Sequence, residues 1–145
     1  MGKTVFALAL KLLAATSAHP VDMAANKAIV LAYYDAAFNH KDFYTASQFL
    51  SPHYIQHRPT AADGPDGLRK IVQGLRANFP QSHGEIKHVL ADGDFVVLHV
   101  LFKTTPDSRG QTIADFYRLA DGKIAEHWDV SQDVPATTVN PNGMF

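Results

Sequence analysis

The second half of this chain consists of long β-type segments that are separated by tight-turn sequences. The four segments are residues 85–91, 95–105, 111–120 and 123–131. Asp92-Gly93-Asp94 separates the first two segments, and Asp121-Gly122 separates the last two. Because Asp-Gly pairs between β-type segments favour two-residue hairpins, the pattern predicts a meander of antiparallel strands.

The first half of the chain carries three helical patterns instead. Asp22, Asp42 and Asp66 can each cap the start of a helix. The third pattern is the strongest, because its apolar residues recur at helical spacing between Leu68 and Phe79. The predicted helices end at residues 39–41, at Ser51-Pro52 and at Pro80. Between the second and third predicted helices, residues 53–58 are interpreted as a short strand and residues 59–65 as a loop.

Helices followed by a meander of strands predict an α+β domain in which the helices cover one face of a single sheet. A strongly twisted sheet that curls around helices leaves a space between the two layers. Such a space is the default location of a ligand site. We therefore expect one pocket between the sheet and the N-terminal helices.

Composition sets the size of the domain and excludes several classes of function. A chain of 145 residues fits one domain. Its formal net charge is −1 and its basic residues are scattered, so the sequence predicts no nucleic-acid-binding patch. It has no cysteine, which excludes disulfides, thiol catalysis and cysteine-ligated metals. Its eight histidines are natural acid–base and hydrogen-bonding groups near neutral pH.

Residues 1–18 have the layout of a secretory signal peptide, with Lys3, an apolar centre and small residues near a cleavage point. Lys11 interrupts the apolar centre, so an extra N-terminal helix is the alternative interpretation. The first interpretation predicts a periplasmic or secreted protein, and the second a cytoplasmic one. The stretch is too short to span a bilayer, and we expect no membrane partner. We assign residues 22–134 to the folded domain and residues 135–145 to an extended tail.

Two ionisable residues interrupt apolar strand faces in the meander. His99 lies on one face with Phe95, Val97 and Leu101, and Asp115 lies in an otherwise apolar row of the next strand. Burying an unpaired carboxylate is costly, so such a group is paired, protonated or beside a cavity. We expect both residues to face a shared pocket, whose apolar surroundings would raise the pKa of Asp115 and make it a competent general base.

Both residues also have purely structural interpretations. His99 could be a core histidine with satisfied hydrogen bonds, and Asp115 could form a salt bridge with Arg58, Arg118 or a lysine. The sequence contains neither an H-E-x-x-H metal signature nor a G-x-S-x-G nucleophile elbow, so we predict no metal and no Ser-His-Asp triad. A metal site would have to be built from the histidines that could converge, which are His57, His88, His99 and His127.

Two further clusters supply candidates for the pocket wall. Within residues 54–57, Tyr54 and Gln56 fall on one side of the chain and His57 on the other. Within residues 126–129, His127 and Asp129 share a face and could pair with each other. Trp128 lies on the opposite face and is interpreted as core or as pocket wall rather than as a cofactor stack.

Six short motifs carry a family resemblance. They are Tyr54-Ile-Gln-His57, Asp63-Gly-Pro-Asp-Gly67, Ala91-Asp-Gly-Asp94, Asp115-Phe-Tyr-Arg118, Asp121-Gly-Lys-Ile124 and Glu126-His-Trp-Asp-Val130. Their order and spacing resemble the SnoaL-like polyketide cyclase family, which belongs to the nuclear transport factor 2-like superfamily. The C-terminal Asn140-Pro-Asn-Gly-Met-Phe145 resembles a bacterial branch of aldol-condensation enzymes. The resemblance covers roughly residues 22–145.

The resemblance implies a cone-shaped α+β fold and a protein that is commonly a homodimer. It also implies an enzyme that needs no cofactor and acts on a small hydrophobic or aromatic carbonyl compound. In cyclases of this kind an aspartate serves as acid and base in an aldol closure or a proton transfer. That aspartate corresponds to Asp115, and a histidine on the preceding strand corresponds to His99. The residues expected to contact the substrate are Tyr33, Tyr54, His57, Tyr117, His127 and Trp128.

The chain also departs from the family pattern in ways that leave its function open. Leu101 stands where relatives can carry a second polar residue, and Arg58 stands where Asn is frequent. Both differences affect the expected pocket mouth and therefore the substrate. Binding of a small ligand without chemistry and a dimeric scaffold are alternative functions. Epoxide hydrolysis is a third, and it would require Asp115 and Asp129 to lie close enough to hold a water molecule.

Overall fold

A computed structural model describes residues 22–145, and the two interpretations of residues 1–18 lie outside the described residues. The helices are α1 (Met23–Tyr34), α2 (Phe43–Ser47) and α3 (Gly64–Asn78), with a π-helical turn at Asp35–Asn39 that extends α1. The strands are β1 (Leu50–Gln56), β2 (His83–Asp92), β3 (Phe95–Lys103), β4 (Gln111–Ala120) and β5 (Lys123–Asp133). Among the described residues, no helix is long and apolar enough to cross a membrane.

The first two helices begin where the sequence predicts. The Asp22 carboxylate accepts hydrogen bonds from the N–H groups of Ala24 and Ala25, both at 3.0 Å. The Asp42 carboxylate accepts one from the N–H of Thr45 at 3.1 Å. These bonds satisfy backbone donors that have no partner within the helix.

Two predicted boundaries are wrong. The second helix ends at Ser47, and Pro52 lies inside β1 instead of stopping a helix. A proline is tolerated there because β1 is an edge strand of the sheet. The third helix begins at Gly64 rather than after Asp66, because Pro65 occupies the first turn, where its missing N–H costs no hydrogen bond.

The five strands form one curved sheet in the order β1-β5-β4-β3-β2. The antiparallel meander from β2 to β5 is confirmed, and so is the α+β class with N-terminal helices against the sheet. β1 adds a parallel partner to β5, which makes the sheet mixed rather than wholly antiparallel. This parallel pairing brings the end of β1 beside the middle of β5, with Gln56 opposite His127.

The two faces of the sheet have different surroundings. On the inner face, which the helices cover, Val96, Leu98 and Val100 of β3 are fully buried in the core. On the outer face, several apolar side chains stay exposed to solvent. They include Leu90, Phe95, Phe116 and Val130.

Candidate active site

A cavity of about 260 Å³ lies between the inner face of the sheet and the helices. Its apolar wall is formed mainly by aromatic and aliphatic side chains. These are Tyr33, Tyr34, Phe38, Leu68, Ile71, Leu75, Phe102 and Ile113. Its polar wall comes from the end of β1, the loop after it, β4 and β5. The polar side chains are Tyr54, Gln56, Arg58, Thr60, Gln111, Asp115, His127 and Asp129.

Asp115 sits in the middle of β4, on the inner face, and is only 5% exposed. Its Oδ1 lies 2.9 Å from Nε2 of His127, which is buried on the neighbouring strand β5. Its Oδ2 makes no hydrogen bond to residues 22–145 and is not among the buried unsatisfied atoms of that range, so it stays open to the cavity. Burial raises the pKa of the Asp115 carboxyl above its ordinary value, and its hydrogen bond with His127 works in the opposite direction.

A chain of hydrogen bonds continues from His127 to the edge of the sheet. Nδ1 of His127 lies 3.0 Å from Oε1 of Gln56, and Nε2 of Gln56 donates to the Tyr54 hydroxyl at 3.0 Å. The backbone N–H of Arg58 also donates to Oε1 of Gln56, at 2.9 Å. The parallel pairing of β1 with β5 places Gln56 and His127 side by side.

An ion pair lies beside this chain. Asp129 is directly opposite Asp115 in the register of β4 and β5, and its Oδ2 lies 2.6 Å from an Arg58 guanidinium nitrogen. Arg58 therefore neutralises Asp129, while Asp115 makes its hydrogen bond to a histidine. Arg118 pairs with Glu126 on the outer face. The salt bridges considered for Asp115 from the sequence are therefore absent among the described residues.

Tyrosines surround the buried carboxyl. Tyr33 and Tyr54 line the cavity, and burial raises the pKa of each hydroxyl above its ordinary value. Both hydroxyls are therefore neutral hydrogen-bond donors near neutral pH. Tyr117 lies behind the wall instead of on it, with its ring 4.8 Å from the His127 ring. Its fully buried hydroxyl has no hydrogen-bond partner among residues 22–145.

His99 is not in the cavity, so the expected shared pocket with Asp115 is wrong. In the register of β3 and β4, Leu98 lies opposite Asp115, and His99 lies opposite Ala114. Because side chains alternate between the faces of a strand, His99 is on the outer face. There its Nε2 lies 2.8 Å from the Thr112 hydroxyl and its Nδ1 lies 3.2 Å from Nδ1 of His88.

His57 and Trp128 are also outside the cavity. Their rings stack at 4.4 Å, and Nε2 of His57 lies 2.9 Å from a Glu126 oxygen. The sequence did indicate this separation, because His57 and Trp128 each fall on the opposite strand face from a residue that lines the cavity. The sequence indicated Arg58 only as part of the pocket mouth and Asp129 only for epoxide hydrolysis, and it did not indicate Gln56 as a site residue. Gln56 lies two residues after Tyr54, and Asp129 lies two residues after His127. Arg58 lies two residues after Gln56. Because residues two apart along a strand share a face, this spacing could have indicated that they line the same cavity.

Three side chains of the site could also meet around a cation. One ligand atom each from Asp115, His127 and Asp129 lies within 4.8 Å of the others. The guanidinium of Arg58 already supplies a positive charge at Asp129. A metal ion would therefore have to displace Arg58 from that carboxylate.

Comparisons with known proteins agree with this architecture. TsrD from Streptomyces laurentii is 22% identical, with 77% of this chain and 90% of that chain covered and a TM-score of 0.65. A protein from Kribbella flavida assigned as a ketosteroid isomerase is 18% identical, with 85% and 87% covered and a TM-score of 0.66. These two likenesses establish the fold alone.

AclR from Streptomyces galilaeus, assigned as a hydroxylase, is 25% identical, with 79% of this chain and 83% of that chain covered and a TM-score of 0.66. A comparison with curated protein sequences found no match. The sequence profile of the SnoaL-like domain matches residues 30–127, which include the cavity-lining residues of β1, β3 and β4 and also His127 of β5. The chain therefore belongs to the family of SnoaL-like domains.

Proposed function

We propose that this protein is a cofactor-independent enzyme that moves a proton on a small carbonyl compound, with Asp115 as general base and acid. The observation that carries the proposal is a buried carboxyl group whose free oxygen opens into an apolar cavity. Burial raises the pKa of Asp115 towards the range in which one group can both take and return a proton. The hydrogen bond between Asp115 and His127 holds this carboxyl in place.

The proposed reaction begins when Oδ2 of Asp115 takes a proton from the carbon next to the substrate carbonyl. The electron pair of that C–H bond forms a carbon–carbon double bond, and the carbonyl π electrons move to oxygen to give an enolate. In an aldol closure the enolate carbon attacks a second carbonyl carbon, whose oxygen then takes the proton from Asp115. In an isomerisation the proton returns to a different carbon instead. Neither sequence consumes an oxidant or a reductant.

Tyr54 is suited to stabilise the enolate oxygen. Its hydroxyl oxygen accepts a hydrogen bond from Gln56, which leaves its own hydrogen free to donate into the cavity. Tyr33 lines the same wall. Neutral donors in a site shielded from water stabilise developing negative charge more than they would in bulk water. The size of the cavity suits a compound of one or two rings with apolar faces.

Deuterium exchange into 2-tetralone, a bicyclic ketone with acidic protons beside its carbonyl, tests the proposal. We expect the wild type to accelerate exchange over buffer, as followed by proton NMR, and Asp115→Asn to lose about 10²- to 10⁴-fold of that acceleration. Asp107→Asn, in the exposed loop after β3, is the matched control and should keep the wild-type rate.

Two results would contradict the proposal. One is a folded Asp115→Asn variant that exchanges 2-tetralone as fast as the wild type. The other is a wild type that binds 2-tetralone, as seen by ligand-induced chemical shift changes, without accelerating exchange. The second result would favour the alternative in which the cavity only binds a ligand.

Epoxide hydrolysis is a second candidate, and the direct opposition of Asp115 and Asp129 across two strands favours it. One carboxylate would take a proton from water while the water oxygen attacks an epoxide carbon. The carbon–oxygen bond breaks, and a carboxylic acid then protonates the leaving oxygen, which gives a diol. Formation of phenylethanediol from styrene oxide tests this candidate, and Asp129→Asn should abolish it. A wild type that forms no diol above the buffer rate excludes it.

We also propose that the outer face of the sheet pairs two copies of the chain. The charged side chains Arg118 and Glu126 compensate each other there, and Phe116 and Val130 expose apolar surface beside them. Val130 is 67% exposed on this face, so Val130→Lys should shift a dimer to monomer in sedimentation velocity. Val139→Lys, in the exposed tail, is the control. A wild type that sediments as a monomer at every concentration contradicts this assembly.

A further inference from the structure

We propose that Gln56 is a positioning residue that fixes the tautomer of His127, so that one proton is held between His127 and Asp115. The catalytic consequence of this proposal rests on the proposed function, but the tautomer itself does not. The tautomer follows from which atoms in three consecutive hydrogen bonds are able to donate.

The first step is the orientation of the Gln56 side-chain amide. Its Oε1 lies 2.9 Å from the backbone N–H of Arg58, which can only donate. Turning the amide over would place an NH₂ group against that N–H. The Gln56 NH₂ group then faces the Tyr54 hydroxyl oxygen at 3.0 Å, which can accept. The oxygen of the Gln56 amide is therefore the atom that faces His127.

The second step is the tautomer of His127. Its Nδ1 lies 3.0 Å from Oε1 of Gln56, which can only accept, so Nδ1 must carry a hydrogen. In a neutral imidazole the other nitrogen, Nε2, is then a bare acceptor. That nitrogen is the one that lies 2.9 Å from Oδ1 of Asp115.

The third step is the proton between His127 and Asp115. A neutral Nε2 and a carboxylate would be two acceptors facing each other, so the contact requires one proton. The pair is either a carboxylic acid with a neutral imidazole or a carboxylate with an imidazolium. Both forms have the same number of protons, so the two residues share one proton.

The surroundings of the pair influence the balance between these forms. The titratable and charged groups that face it are Tyr33 and Tyr34 of α1, Tyr54 of β1, Arg58 after β1, Tyr117 of β4 and Asp129 of β5. Burial raises the pKa of Asp115, which favours the neutral form of the pair. In that form Asp115 can donate a proton, and in the ionic form it can accept one.

Removing the Gln56 acceptor should allow neutral His127 to change its tautomer. In Gln56→Met, neutral His127 is free to carry its hydrogen on Nε2 and to donate it to an Asp115 carboxylate. The pair can then lose its extra proton more easily, because the remaining contact is still a hydrogen bond. We expect the pH at which the pair loses this proton to fall by about one unit, the worth of one net hydrogen bond.

Nitrogen-15 NMR of His127 measures both effects without any substrate. We expect the wild type to show a protonated Nδ1, and Gln56→Met to show the hydrogen on Nε2 together with the lower titration midpoint. Gln56→Glu keeps an acceptor oxygen and should keep the wild-type tautomer. Tyr54→Phe removes the hydroxyl beyond Gln56 and is the control, which should also keep it.

Turnover provides the second readout. Exchange of deuterium into 2-tetralone should fall at least about tenfold in Gln56→Met at neutral pH and recover in part in Gln56→Glu, because a wrong tautomer misplaces the proton. A wild-type His127 whose Nδ1 carries no hydrogen, or the same tautomer in wild type and Gln56→Met, overturns the proposal. A protonated Nδ1 that is lost in Gln56→Met, in a protein that never accelerates exchange, confirms the positioning role and contradicts the proposed function.

Discussion

The inner and outer faces of the sheet carry similar side chains in very different surroundings. On the inner face, Asp115 and His127 form a hydrogen-bonded pair beside a cavity. On the outer face, His57 pairs with Glu126 in the same way and at the same distance of 2.9 Å. Each pair joins a carboxyl group to a histidine, so the residue types alone do not distinguish them.

The surroundings decide what each pair can do. Asp115 is 5% exposed, and burial raises its pKa. Hydrogen bonds from His57 and Arg118 instead lower the pKa of Glu126, which stays an ordinary carboxylate at neutral pH. Only the inner pair therefore combines a proton that can move with a space for a substrate. An acid–histidine pair becomes a catalytic candidate through burial next to a cavity.

The largest expected difference between the faces is in catalysis. His127→Gln should lower deuterium exchange into 2-tetralone by about 10- to 100-fold, because the partner that positions Asp115 loses its proton-transfer capacity. His99→Gln, on the outer face, should change the rate less than about twofold, because His99 contacts Thr112 and His88 rather than the cavity. The measurement is the initial exchange rate of both variants at equal enzyme concentration and saturating 2-tetralone. Equal losses in the two variants would remove the distinction between the faces.

The sequence was sufficient to predict the elements, because each carries a local signal. The Asp-Gly turns define the meander, and the alternation along β4 places Asp115 among buried residues such as Tyr117 and Leu119. A carboxylate in an apolar row is a strong signal, because only a cavity or a partner can compensate for its burial.

The relation between strands could not be predicted in the same way. His99 and Asp115 are each flanked by apolar residues, but an apolar row on the outer face looks the same in sequence as one in the core. The register of β3 and β4 decides which rows share a face, and it pairs Asp115 with Leu98. The parallel contact of β1 with β5, which brings Gln56 to His127, joins residues 71 positions apart and has no local signature.

A smaller expected difference is in stability and its dependence on pH. The folded-state pKa of Asp115 is raised, so its contribution to stability is fully present below the unfolded pKa of about 3.9 and is lost as pH rises through the folded value. Asp115→Asn lacks the ionisable carboxyl, so the variant does not lose stability in this way as pH rises. We expect the variant to be more stable than the wild type by about 1 kcal/mol at neutral pH, with a gap that closes towards pH 4.

Urea unfolding of both proteins across this pH range measures the gap. The matched substitution Asp107→Asn should show no such trend, because Asp107 lies in an exposed loop. A gap that widens as pH falls would mean that Asp115 is stabilised as a carboxylate in the folded protein. The inner pair would then resemble the outer one, and the main contrast between the two faces would disappear.

The smallest expected effect comes from the ion pair on the outer face. Glu126→Gln removes the negative partner of both Arg118 and His57, but these side chains are partly exposed, so water and salt already weaken their attraction. We expect the free energy of unfolding to fall by less than about 1 kcal/mol, and the difference to shrink further in high salt. Asp129→Asn on the inner face breaks an ion pair whose carboxylate is only 10% exposed, and it should cost more and depend less on salt. Similar losses and similar salt dependence for the two variants would show that the two faces shield charge equally, and the raised pKa of Asp115 would then need another cause.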